Sequence, residues 1–150
     1  MSLLSADNQN EIKRLFEGLD GEVRLIYFTQ KESPLIIPGH ECETCKDTRE
    51  LLEEVSSLSS KIKLEVHDFV AESEIVKEHG IDRIPALVMT ADGVKGKVRY
   101  FGMPSGYEFS VLLGSLLDAS QGKSGLAESS TEVLQQIDKD LHIQVFVTPT

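Results

Sequence analysis

The sequence predicts an α/β fold: a central mixed sheet of about four strands flanked by helices, with an extra helix and strand at its C-terminal end. Three observations lead there. Segments of helical and strand period alternate along the chain in the order α-β-α-β-α-β-β-α. The β-α-β stretch in the first half requires parallel strands joined by a right-handed crossover. Asp92-Gly93, lying between two apolar runs, marks a turn between antiparallel strands.

The elements follow in order. Residues 7–19 read as a helix, because Ile12, Leu15, Phe16 and Leu19 fall on one face and Gly21 follows as a stop. Residues 23–29 (VRLIYFT) are too short for a typical helix and suit a buried strand. Residues 30–41 form a loop with Pro34, Pro38 and Gly39, and carry the apolar cluster Leu35-Ile36-Ile37, which needs a packing partner. Cys42 is expected to open the next helix, with Leu51, Leu52, Val55 and Leu58 as its inward stripe. Residues 62–69 (IKLEVHDF) alternate as a strand, with Ile62, Leu64 and Val66 on one face. A helix over 72–79 turns Ile75 and Val76 inward and ends at Gly80, where His79 suits the negative end of the dipole. Strands at 86–90 and 97–101 make the antiparallel pair. Ser105 and Glu108 read as a capping box before a helix burying Phe109, Leu112, Leu113, Leu116 and Leu117.

Three regions result: a domain over 1–120, a linker over 121–127 (QGKSGLA), and the start of a second domain over 128–150. In the last region Ser129 and Glu132 suggest another capping box. Val133, Leu134, Ile137 and Leu141 mark a helix to about residue 140, and HIQVFVT over 142–148 reads as a strand. This repeats the opening helix and strand, as if one unit started twice.

Composition narrows the function. The chain has 150 residues, 40% hydrophobic and 27% charged, as a soluble globular protein does. No apolar run reaches the roughly 20 residues needed to span a bilayer. The N-terminus lacks the basic and long apolar regions of a signal peptide, so a cytoplasmic location is expected. A formal net charge of −10 with scattered Lys and Arg argues against nucleic acid and anionic membranes as partners.

The two cysteines are Cys42 and Cys45. In a reducing compartment a CxxC pair is more often catalytic or metal-binding than structural. At spacing i, i+3 on a first helical turn the thiols are neighbours, and the positive helix end stabilises a thiolate, the nucleophilic form. Cys42 would then attack a substrate disulfide and Cys45 would resolve the mixed disulfide. Glu41 and Glu43 oppose the thiolate, and Lys46 partly offsets them. Less thiolate stabilisation makes a reductant, near the ~−270 mV of thioredoxin rather than ~−120 mV. A zinc alternative uses His40, Cys42 and Cys45, with His67 or His79 as a fourth ligand, but lacks the second knuckle usual in structural sites. His67, His79 and His142 otherwise read as structural. Ile84-Pro85, just before a strand, is the second candidate feature. A cis peptide there would aim the Ile84 backbone at the dithiol, where an extended substrate could pair with it; a trans proline opening a strand is the ordinary alternative.

The strand VRLIYFT, the dithiol Cys42-Glu43-Thr44-Cys45, Ile84-Pro85 and Arg99-Tyr100-Phe101-Gly102 together resemble the thioredoxin superfamily. Over nearly the whole chain the sequence is similar to the glutaredoxin-like protein disulfide oxidoreductases, a family of tandem thioredoxin folds. That similarity rests on IDRIP, RYFGMPSGYEF and VFVTPT. It implies a thioredoxin-like fold, Cys42 as nucleophile, Cys45 as resolving thiol, and Pro85 as a cis-proline with Ile84 binding substrate. It also implies that the VFVTPT segment leads toward a second dithiol beyond Thr150, and that an isolated first unit is a weak enzyme. The chain departs from thioredoxin in lacking Trp before the first cysteine and Pro between the two. Residues 25–29 show no match to the buried acid under the dithiol, and the 30–41 loop is longer.

The expected function is thiol–disulfide exchange on protein disulfides, with no cofactor. The electron donor would be a thioredoxin-reductase-type flavoenzyme or glutathione. The alternatives are a non-catalytic thioredoxin-fold interaction module and the small zinc-binding domain. The 128–150 tail is too small for a core of its own, so it should pack on the first unit or on another chain in a homodimer.

Overall fold

The computed structural model describes residues 2–31 and 41–147. Among these, the chain forms five helices and four strands: α1 (Ala6–Phe16), β1 (Val23–Thr29), α2 (Cys45–Ser57), β2 (Ile62–Asp68), α3 (Ser73–His79), β3 (Ala86–Ala91), β4 (Val98–Phe101), α4 (Tyr107–Gln121) and α5 (Glu128–Leu134). The sheet order is β2-β1-β3-β4. β1 is parallel to β2, with Tyr27 opposite Val66, and antiparallel to β3, with Phe28 opposite Ala86. β4 closes the sheet antiparallel to β3. This is the thioredoxin-like arrangement that the resemblance implied.

β1 is central and covered on both faces, which is why its sequence runs apolar rather than alternating. Val23, Leu25 and Tyr27 point into the larger core, with Phe16 of α1, Leu51, Leu52 and Val55 of α2, and Leu112, Leu113 and Leu116 of α4. Ile26 and Phe28 point to the other face, into a smaller core with Val76 of α3 and Ile81. Ile62, Leu64 and Val66 share the larger-core face, as their alternation predicts.

Helix ends follow local chemistry. Ser5 caps α1, its Oγ accepting from the Asn8 amide at 3.2 Å. Gly80 ends α3 in the left-handed region at φ 65°, where a Cβ is unfavourable. Both predicted capping boxes are corrected. α4 is preceded by Gly106, not Ser105, and Glu108 instead accepts the Tyr100 hydroxyl. α5 is preceded by Ala127, which moves Ser129 inside the helix.

The tail differs most from expectation. α5 ends at Leu134 rather than near residue 140, and residues 142–147 form no strand. None of α5 is buried, and Phe146 is 89% exposed. A strand exists only through a neighbour's hydrogen bonds, and this segment has no neighbour among the described residues. Residue 148 and the Leu35-Ile36-Ile37 cluster lie outside the described residues.

Candidate redox site

Cys42 and Cys45 are joined by a disulfide, with Cα atoms 5.4 Å apart. They stand where β1 hands the chain to α2. The helix begins at Cys45, so Cys42 lies before α2 and does not open it. The reason is a turn: the Cys45 amide donates to the Cys42 carbonyl at 3.3 Å, an i, i+3 bond, and Thr44 sits at φ −104°, ψ −1° between turn and helix. The two residues differ in exposure. Cys42 is half-buried, whereas Cys45 is 4% exposed. Glu41, Glu43, Lys46 and Asp47 around them face solvent.

The Ile84-Pro85 peptide is cis. β1 ends and antiparallel β3 begins at one end of the sheet, so topology brings Pro85 to the end from which α2 departs. The Pro85 carbonyl accepts the Gly102 amide at 2.9 Å, tying the start of β3 to the turn after β4. Gly102 takes φ 101°, a conformation that glycine adopts without strain. Ile84 is half-buried and Pro85 buried. Arg83 stacks over the half-exposed Phe101 ring at 5.4 Å and pairs with Asp82, a contact that lowers the Asp82 carboxyl below its ordinary range.

The entry to the loop is also fixed. The Asp68 carboxylate accepts the amides of Ala71 (2.6 Å), Val70 (3.0 Å) and Lys31 (3.1 Å), clamping the chain beyond β1 to the end of β2. The Ala71 bond, with those of Lys31 and Val70, holds the Asp68 carboxyl low against a desolvation that raises it.

A part of the site that sequence reasoning missed lies beneath α2. Tyr27, wholly buried in β1, donates its hydroxyl to the Cys45 carbonyl at 2.8 Å. Burial pushes this phenol up from 10.0, and the Thr29 and Thr48 hydroxyls against it act in the opposite sense. Thr48 Oγ1 donates to the Thr44 carbonyl at 2.7 Å. The only signal in the sequence was a tyrosine set among the apolar Leu25, Ile26 and Phe28 of β1.

His67 and His79 pack within the fold, away from the dithiol. His67 and His79 flank Phe28, with ring centroids 5.7 Å and 5.6 Å from it, on the face opposite the one that α2 covers. His67 Nδ1 meets Glu72 at 2.9 Å. Burial pushes His79 below 6.5, and its Nδ1 has no hydrogen-bond partner among the described residues. Neither is placed as a fourth zinc ligand beside the dithiol, because the sheet intervenes. His40 lies outside the described residues. Among the described residues, no three His, Cys, Asp or Glu side chains gather as a metal site. No helix there is long and apolar enough to cross a membrane.

A family model described as a thioredoxin domain matches residues 35–114. The F component of alkyl hydroperoxide reductase in Staphylococcus aureus strain Mu50 is 23% identical over 148 residues, which is 99% of this chain and 25% of that protein. A protein disulfide oxidoreductase from Aeropyrum pernix superposes with a TM-score of 0.72 at 25% identity, covering 88% of this chain and 54% of the other. The N-terminal domain of the corresponding alkylhydroperoxide reductase component, AhpF, of Enterococcus faecalis superposes at 0.70 with 21% identity, covering 86% and 58%, and shows the shared fold. This chain thus spans about a quarter of the length of the curated relative and about half of the solved structures.

Proposed function

The chain belongs to the thioredoxin domain family, and from that premise we propose that Cys42 is the attacking and Cys45 the resolving sulfur of a protein disulfide reductase. Thiol–disulfide oxidoreduction is the chemistry of the Cys42–Cys45 pair. The difference in exposure between the two cysteines carries the assignment of roles: a half-buried sulfur can meet a partner, and a buried one can reach only its neighbour.

In the reduced domain the Cys42 thiolate attacks one sulfur of a substrate disulfide. A Cys42–substrate disulfide forms, and the other substrate sulfur leaves as a thiolate that takes up a proton. The Cys45 thiolate then attacks Cys42 Sγ and expels the second substrate thiolate. Two electrons have passed to the substrate, and the domain holds the Cys42–Cys45 disulfide seen here. Ile84, before the cis Pro85, offers backbone for an extended substrate at the same end of the sheet. Two electrons from a thioredoxin-reductase-type flavoenzyme, or two glutathione molecules leaving as glutathione disulfide, restore the dithiol. A pair of cysteines spaced as CxxC, with no others in the sequence, suits work in the reducing cytoplasm.

Residues 1–120 form the redox domain in this reading, 121–127 a linker, and 128–150 the opening of a second thioredoxin-like unit. The exposed apolar residues Val133, Ile143, Val145 and Phe146 support a tail that acquires its partner from further chain or from a second copy in a homodimer.

Insulin-disulfide reduction tests the function. Wild type should reduce insulin. Cys42→Ser should lower the rate at least 100-fold, and Cys45→Ser should accumulate the Cys42–substrate mixed disulfide, visible by mass spectrometry. A rate unaffected by Cys42→Ser would overturn the assignment. Zinc retained by the reduced protein would favour the metal-binding alternative, and neither activity nor zinc would favour the interaction module.

A further inference from the structure

The sheet offers no carboxylate to the resolving cysteine from β1, and a set of hydroxyls stands there instead. Tyr27 occupies the central strand, paired with Val66 on one side and Leu87 on the other, so its backbone is held from both directions. Its O–H reaches the Cys45 carbonyl at 2.8 Å. One residue earlier, the Thr44 carbonyl accepts both the Thr48 amide at 2.9 Å and Thr48 Oγ1 at 2.7 Å. Thr48 is 1% exposed and Thr29 is buried. Two successive peptide carbonyls, those of Thr44 and of Cys45, are therefore held by buried hydroxyls.

These bonds and the disulfide favour the same turn geometry, so each strengthens the other. While it is closed, the covalent link fixes the turn. Once reduced, closure depends on how often the Cys45 sulfur is presented to Cys42, which is an effective concentration set by non-covalent anchors. We infer that Tyr27, assisted by Thr48, is a positioning residue for Cys45, holding the first turn of α2 in closing geometry during turnover. The inference rests on Cys42 and Cys45 being the exchanging pair. It assigns Tyr27 the part of a clamp and not of a base, since a buried phenol keeps its proton across the physiological range.

The test is equilibration of the full chain with glutathione buffers, followed by thiol trapping and mass spectrometry. The reaction read is protein dithiol plus glutathione disulfide giving protein disulfide plus two glutathione. Tyr27→Phe keeps the ring and removes only the hydroxyl. It should lower the disulfide-to-dithiol ratio by up to roughly tenfold, the ceiling for one hydrogen bond made fully only in the closed form. Closure of the Cys42–glutathione mixed disulfide should slow by a similar factor, while its formation is unchanged. The shift should be equal at pH 6.5 and pH 8, which a proton-transferring group would not give. Thr48→Val should move the equilibrium in the same direction, and it carries the test if Tyr27→Phe does not fold. Tyr100→Phe, which removes a hydroxyl bound to Glu108 far along the chain, should have no effect. Wild-type values in both Tyr27→Phe and Thr48→Val would overturn the inference while leaving the exchange reaction standing. A wild-type protein that forms no reversible disulfide would overturn the exchange reading, and the inference with it.

Discussion

Reducing the Cys42–Cys45 bond should weaken the fold modestly and leave it folded. The bond joins residues three apart, so it closes a loop of about four residues. Loop-closure entropy for that length is about 6 cal/mol/K, or roughly 2 kcal/mol at 25 °C. A domain of about 120 residues has an unfolding entropy near 0.25 kcal/mol/K, so the expected fall in Tm is about 7 °C. The core has the means to survive this. Leu25, Tyr27, Leu52, Val55 and Leu116 are all fully buried and none depends on the sulfur bridge for its contacts across the sheet. The assay is thermal unfolding of the full chain followed by circular dichroism, with and without a phosphine reductant, the thiol state being checked by mass. A Cys42→Ser/Cys45→Ser double variant should melt with the reduced protein. A reduced chain already unfolded at 25 °C would refute the reasoning, because the bond would then be a structural staple that cannot cycle. An unchanged Tm would refute the entropy argument.

Other expected outcomes follow from the packing and the charges. Leu52→Ala removes a fully buried side chain of α2 and should cost about 2–5 kcal/mol by urea unfolding. Acidification should destabilise the wild type. His79 has a folded pKa below its ordinary 6.5, so its contribution is present above pH 6.5 and is lost as pH falls from there through the folded value. The carboxylates of Asp68 and Glu72, also held below their ordinary 3.8 and 4.5, lose theirs only at lower pH. His79→Phe should therefore flatten the fall in Tm between pH 7.5 and pH 5.2, and an unaltered slope would assign that fall to other groups. Truncation after residue 125 should change the stability of the remainder by less than about 0.5 kcal/mol, because α5 buries nothing. Limited proteolysis should cut the tail first.

What the sequence made legible depended on pattern. The VRLIYFT run identified β1 to the residue, because a central strand covered on both faces has a composition of its own. The end of α3 and the start of β3 also followed, since Gly80 and Pro85 punctuate the chain there. Helix starts were less legible. A Ser-x-x-Glu spacing is only a statistical signal, and at α4 the glutamate had a nearer partner in Tyr100. The beginning of α2 turned on a backbone turn at Cys42–Cys45 that spacing alone does not distinguish from helix. The strand over 142–148 was read from β-propensity, and propensity cannot supply a neighbouring strand. The dithiol and the proline were visible as motifs. The Tyr27 hydroxyl was not, because its meaning depends on α2 crossing β1 at that point, a tertiary fact with no sequence period.

A redox titration of the Cys42–Cys45 pair bears most directly on the account. The 150-residue chain is equilibrated across a dithiothreitol or glutathione series and trapped at each potential. A single reversible two-electron transition near ~−270 mV is expected, given the exposed carboxylates of Glu41 and Glu43 beside Cys42. A bond that stays closed through the whole series, or a midpoint above the ~−200 mV of glutaredoxins, would contradict it.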